Sequence, residues 1–360
     1  MSAGPTDLPA SARKGAGYSA AWLALSALGL AGWLACVMRG DPTPAWRALL
    51  VNFVFFTPLA AAMVVWPAIV MLSRGRWMDG QRRDGLAGIV MAPASLAAFG
   101  ALCLGRSHWA GGLTAAGLSQ GAWFDPAFVM TRDGLALAIW WLTAWRFAVK
   151  APDGRPTVLA GWLAFLYGIV FSLIAFDMVM ALDPHWISSL FAAYFFITAL
   201  YAGIALLALV NALRAPHPPD FLHDLGKLVV VFSIMSTYLM FSQLLPIWYA
   251  NLEPETRFVV PRLNFGPWNS VSLALLGLVY LGPLVLLLPA RAKRTPWRLG
   301  TVASLVLAGL WIERWWLVAP TLGQDARLGL ADIAMCLVFA GILGWGISRY
   351  GHSRETGGRP

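Results

Sequence analysis

Charge is scarce in this sequence. Only 12% of residues are Asp, Glu, Lys or Arg, while 59% are hydrophobic; a soluble domain carries about 25% charged residues. Soluble folding would leave far more apolar surface than one core can bury, so a soluble globular domain is excluded. Cysteine is scarce too. Cys36, Cys103 and Cys336 each sit inside an apolar run and none forms a C-x-x-C pair. They read as small buried side chains, and no iron–sulfur or zinc framework can be built from them. The five histidines offer no haem pair. A b-type haem between helices needs two at one depth, whereas His223 falls on the inner side and His185 on the outer. His217 and His352 lie in polar segments and His108 in a loop. Internal repeats, low-complexity segments and linkers are absent as well.

What the sequence has is long apolar runs. A bilayer span takes about 20 apolar residues, and ten candidates follow one another: Tyr18–Met38, Trp46–Ser73, Gly85–Leu104, Asp133–Lys150, Thr157–Leu182, Ile187–Leu213, Gly226–Ala250, Trp268–Pro289, Arg298–Val318 and Leu328–Ser348. The second is long and holds Pro58 and Pro67, which predicts tilt or a kink. The first is read as a retained helix because no small-residue cleavage site clearly follows it. The expected fold class is all-α: a polytopic membrane helical bundle of about ten transmembrane helices spanning 18–348, with polar tails at 1–17 and 349–360.

A net charge of +9 can signal nucleic acid. Here the basic residues sit in short segments between apolar runs, so the charge reports orientation and no nucleic-acid partner is expected. Of the 26 Lys and Arg, only Arg39, Arg47, Arg106, Arg132, Arg257, Arg262 and Arg327 fall on one side, Arg146 and Arg314 fall within spans, and the remainder share the other side. Both termini are therefore expected to be cytoplasmic. Two outer loops, Gly105–Arg132 and Asn251–Pro267, are long enough to be structured, and their aromatics suit either the membrane interface or a partner outside.

Ionisable groups inside spans are costly and usually mark function. Asp177 is expected about five residues inside the outer end of the fifth helix, Glu313 and Arg314 at similar depth in the ninth, and Asp332 about five residues inside the outer end of the tenth. Asp183 and His185 sit at the outer tip after the fifth helix, and Gln243 lies in the outer half of the seventh. Adjacent residues on a helix do not face each other, so Glu313 and Arg314 each need a partner, for which Asp177 and Asp332 are the candidates. On the inner side, His223, Asp224 and Lys227 open the seventh helix, with Asp224 a plausible N-cap. Ser233, Ser236 and Thr237 share a stripe that Gln243 continues. The stripe serves either interhelical hydrogen bonds or a proton path rising from His223 and Asp224 toward Gln243.

Several stretches carry a family resemblance: AFDMVMALDPHWISSLFAAYFF, HDLGKLVVVF, SQLLPIWYANLEPETRFVV, ARAKRTPWRLGTVASLVLAGLWIERWWLV and, more loosely, AWFDPAFVMTRDG. They resemble the F subunit of alternative complex III, the bacterial quinol:electron-acceptor oxidoreductase, which belongs with the polysulfide-reductase-type (NrfD-like) membrane subunits. The resemblance runs from Trp46 to Leu317; the termini and the segment around His108 match weakly and are short for the family. It implies two four-helix bundles between peripheral helices, in the bacterial inner membrane. It implies as partners a related C-type membrane subunit, multihaem cytochrome subunits and an iron–sulfur subunit, which carry the haem and iron–sulfur centres. It implies that quinol oxidation belongs to the C-type subunit and that this one is a structural and proton-conducting partner. Asp177, Asp183, His185, His223, Asp224 and Lys227 match family positions.

The resulting expectation is a membrane subunit of a quinol-oxidising respiratory complex with no redox centre of its own. One rival is a quinol site in the outer polar cluster, with Asp177 or His185 taking protons. The other is a secondary transporter, which would show paired broken helices near the midplane.

Overall fold

A computed structural model describes residues 10–75, 77–78, 81–150, 157–214, 217, 219–263, 266–323 and 325–356, with backbone alone at 10–17, 116–120, 219, 253–255 and 350–356. The expected tails fall partly outside these residues, at 1–9 and 357–360. Among the described residues there is no strand. In chain order the helices are α1 (Ala10–Val37), α2 (Thr43–Leu72), α3 (Arg82–Leu86), α4 (Met91–Leu104), α5 (Gly111–Gln120), α6 (Pro126–Lys150), α7 (Val158–Met178), α8 (Phe191–Leu213), α9 (Pro219–Ala250), α10 (Glu253–Leu263), α11 (Gly266–Leu275), α12 (Gly282–Leu286), α13 (Ala290–Arg294), α14 (Pro296–Val318) and α15 (Leu330–Thr356).

Nine stretches among the described residues are long and apolar enough to cross a bilayer: Tyr18–Val37, Thr43–Leu72, Arg82–Leu104, Val158–Leu182, Phe191–Leu213, Asp220–Ala250, Gly266–Leu286, Pro296–Val318 and Leu330–Arg349. The protein is a multi-pass membrane protein of the all-α class. The remaining expected span is α6. Arg132, Asp133, Arg146 and Lys150 dilute its apolarity, yet it packs along α7 and α4 and so joins the same layer. It also begins earlier than expected, because Asp125 Oδ1 accepts the Ala127 and Phe128 N–H groups, each at 3.0 Å, and caps the helix at Pro126.

Packing divides the spans into two groups of four. The stretch α3–α4 joins α2, α6 and α7 in one; α8, α9, α11–α12 and α14 form the other. The groups meet where α2 lies against α8, while α1 and α15 run together along the periphery. The centre of this arrangement is α2. Its middle, from Ala48 to Ala68, is buried throughout, as suits a helix apolar on every face. It continues through Pro58 and Pro67 as one helix.

The peripheral pair is antiparallel and close. A Cβ at Gly29 would stand 2.5 Å from the Ala334 carbonyl oxygen, so glycine lets the backbones approach. Ser26 donates to the Val338 carbonyl at 3.1 Å, and Ser19 meets Ser348 at 3.1 Å. The start of α1 and the end of α15 therefore lie at the same end of the bundle. At that end Arg214, at the C-cap of α8, donates to Asp84 at 2.7 Å and to the Ile347 carbonyl, joining α8, α3 and α15.

Candidate functional site

The ionisable residues expected in the spans resolve into two separate clusters and several isolated positions. The first cluster closes the first group at the end opposite the Ser19–Ser348 contact. Asp177 lies in the last turn of α7, closer to the helix end than expected. Its partner is Arg132, and neither Arg314 nor the sequence near Asp177 supplies it. Arg132 donates to Asp177 and, at 3.1 Å, to Asp133 Oδ1. Arg132 was expected in an outer loop; α6 instead carries it into the bundle, under the Trp123 ring at 4.5 Å. Both carboxylates are buried. One guanidinium thus serves two buried acids, so the Arg132–Asp133–Asp177 group carries one more acid than base.

The second cluster sits inside the second group. Glu313 is fully buried. The Tyr194 hydroxyl donates to its Oε1 and meets the Tyr280 hydroxyl at 2.7 Å. Arg314 donates to the Phe195 carbonyl at 3.0 Å and to Thr198 Oγ1 at 2.6 Å, with Phe195 4.2 Å beneath its guanidinium. Its Nη1 is 3.7 Å from Glu313 Oε2, an ion pair just beyond hydrogen-bond distance. The expected partners Asp177 and Asp332 are not used. Residues one apart share no helix face, but α8 offers acceptors and donors to both, so the pair closes over Tyr194 and Thr198.

Tyr280 reaches Tyr194 because the helix there is not regular. Residues Leu276–Leu281 form a π-helical turn between α11 and α12, a device common at functional sites. Pro283 has no N–H for the Val279 carbonyl, which accepts from the Tyr201 hydroxyl at 3.2 Å. The next carbonyl, that of Tyr280, accepts from Ser233 at 2.5 Å. Ser233 is thereby tied sideways to Tyr280, not upward along α9.

The rest of the α9 stripe divides. Thr237 donates to the Ser233 carbonyl, Gln243 accepts from Ser188 at 3.1 Å, and Ser236 Oγ makes no hydrogen bond among the described residues. Near the start of α9, Lys227 pairs with Asp224 at 2.9 Å. Because α9 starts at Pro219, Asp224 lies within the helix and is not its N-cap. His223 is ten residues below Ser233, about 15 Å along the axis, with no hydrogen-bonded link between them among the described residues. Asp183 holds the tip turn, its Oδ1 accepting the His185 N–H at 3.2 Å, and His185 is exposed. Asp332 lies in the first turn of α15, nearer the helix end than expected, where its Oδ2 accepts the Gly329 N–H at 2.9 Å.

At the same end as Asp177, the mouth of the second group is closed by α10. Arg262 donates to the carbonyls of Phe258 (2.6 Å), Trp316 (3.1 Å) and Leu317 (2.9 Å) and to Thr321 Oγ1 (2.7 Å). Burial pushes its pKa down to about 9, against a weaker upward pull from Asp183. Phe258 stacks on Trp186 at 3.7 Å. Beneath this lid lies an apolar crevice of about 40 Å³, lined among others by Trp186, Tyr194, Gln243, Phe258 and Trp316.

No protein-family model matches the chain, and no curated protein matches it. Geometry alone therefore selects among the candidate residues. It brings Glu313 and Arg314 into one buried network and gives Asp177 a network of its own. Sequence reasoning missed Arg132, Asp133, Tyr194, Tyr280 and Arg262. For Tyr280 the nearby Pro283 was a usable signal; for Arg132, so was the adjacent acid at the mouth of a span.

Proposed function

We propose that the chain is the integral membrane subunit of a quinol-oxidising respiratory complex of the alternative complex III type, a structural partner that also conducts protons. It binds no redox cofactor itself in this reading. Quinol is oxidised beside it, with haem and iron–sulfur centres held by multihaem cytochrome and iron–sulfur subunits and a related C-type membrane subunit at its side. It sits in a bacterial inner membrane with both ends cytoplasmic.

The observation that carries the reading is Glu313, a wholly buried carboxyl reached by a two-tyrosine hydrogen-bonded chain. Isolated charge is expensive in hydrocarbon and is retained where it serves transport of charge. Tyr194 can pass its hydroxyl proton to Glu313 Oε1 as it receives one from Tyr280; Tyr280 must in turn take a proton from hydronium on its far side, so that neither ring is left ionised. Arg314 offsets the carboxylate and holds it at the level of Tyr194. The outer quinol site remains the second reading, favoured by the crevice over Tyr194 and Gln243. At about 40 Å³ the crevice has room for only a few waters, at about 10–15 Å³ each, so a quinol ring enters only if Phe258 moves.

Tyr194→Phe and Tyr280→Phe test the relay, since both leave the Glu313–Arg314 pair intact. In the assembled complex each should preserve subunit content and lower turnover-coupled proton release by about a hundredfold, the scale of a lost proton-transfer group. Unchanged proton release per electron in both variants would remove the relay.

A further inference from the structure

The exposed face of α9 carries polar groups where a lipid-facing helix has none. Val231, Ile234, Met235, Tyr238, Phe241, Leu245, Trp248 and Tyr249 form one exposed stripe. Tyr238 is 63% exposed. It lies close to the middle of the Asp220–Ala250 stretch. Three or four residues from the midpoint is about 5 Å along the axis, while the hydrocarbon edge is about 15 Å away, so its hydroxyl cannot reach the interface. The other exposed tyrosines, Tyr18 and Tyr249, sit at span ends, where tyrosine belongs. One turn beyond Tyr238, the Ser242 carbonyl has no i+4 donor, because that position is Pro246, which is exposed and lacks an N–H.

Elsewhere among the described residues the exposed mid-span surface is apolar or satisfied within its own helix, as at Ser304, whose hydroxyl donates to the Gly300 carbonyl at 2.9 Å. Leu135, Ile139 and Leu142 line α6, and Trp162, Phe165 and Ile169 line α7. A hydroxyl and a freed carbonyl on one stripe cannot be satisfied by acyl chains. We infer that the Tyr238–Ser242 face of α9 docks a transmembrane helix of a different polypeptide, one that brings small residues and a hydrogen-bond donor to this depth. The small residues follow from close packing, which needs Gly, Ala, Ser or Thr on at least one side; the α9 stripe is bulky. A second copy of this chain would oppose bulk with bulk and meets that requirement poorly. The inference stands apart from the respiratory reading and does not need it.

The test uses the full chain in its native membranes, with Tyr238→p-benzoylphenylalanine as the probe and Ile139→p-benzoylphenylalanine as the control. After irradiation, position 238 should give an adduct mapped by mass spectrometry to the transmembrane segment of another polypeptide, and position 139 should give lipid adducts. Tyr238→Phe should then reduce retention of that same polypeptide in mild detergent by about threefold, the scale of an interhelical hydrogen bond in a membrane. Lipid adducts at 238, an adduct to a second copy, or equal protein adducts at both positions would overturn the inference.

Discussion

Arg132 stands between Asp133 and Asp177, both buried, with an aromatic ring above it. Removing a buried charge's partner is far worse than removing a charge that has another partner left. Asp177→Asn keeps the Arg132–Asp133 pair and one neutral hydrogen-bonding group, so the protein should fold and assemble. Arg132→Ala leaves two buried carboxylates facing one another and should cost about 3–5 kcal/mol, read as loss of the assembled protein from membranes and a lowered Tm. Equal yields and melting for the two variants would contradict this account of the cluster. At this scale the sequence made the acids visible and their partners invisible. Asp177, Glu313 and Arg314 stand out because charge in an apolar run is costly. Their partners come from α6 and α8, 45 residues away for Asp177 and 119 for Glu313, in no detectable pattern, and tyrosine in an apolar helix looks like core until a hydrogen bond is seen.

Among the elements, α10 depends on one side chain. Arg262 joins it to the last turn of α14 through the Trp316 and Leu317 carbonyls, groups a helix end otherwise leaves without partners. Lysine carries the same charge but lacks the planar fork. Arg262→Lys should therefore strand at least one buried carbonyl, cost about 2 kcal/mol, and expose the 251–263 segment to protease added from the outer side. Unchanged protease resistance would show that α10 is held by Phe258 and Trp186 alone. The lowered pKa of Arg262 has a definite sign. Its folded value of about 9 lies below the free value, so the guanidinium stays charged at neutral pH and its burial penalty is relieved only as pH rises above about 9. Melting should accordingly be insensitive to this group between roughly pH 6 and 8. The sequence reading placed a structured loop at 251–267 but no helix, since Pro261 and the charges of that stretch hide one. It also began α9 at Gly226, misled by Asp224; the helix starts at Pro219, as proline at a first turn allows.

At the scale of the whole molecule, hydropathy and alternating charge were enough to expect a ten-helix layer with its two ends on one side. The contact between Ser19 and Ser348 agrees with that even count. What hydropathy cannot read is which helix is central, because a buried span and a lipid-facing span are both apolar. The place of α2 against α7, α8 and α15 emerges only from packing. Sidedness is open to direct measurement: reporter fusions after Arg214 and after Arg257 should report opposite sides, with Arg214 cytoplasmic, because α9 runs between them. The same side for both would break the topology.

The central claim is that this chain works inside a quinol-oxidising complex and holds no redox centre alone. Affinity isolation of the tagged chain from its native membranes in mild detergent tests it most directly. The account predicts that multihaem cytochrome and iron–sulfur subunits co-purify with a second, related membrane subunit, that the preparation oxidises quinol, and that the chain stripped of these partners shows neither haem absorbance nor quinol oxidation. Isolation as a lone polypeptide without haem-bearing partners, or quinol oxidation by the stripped chain, would contradict it.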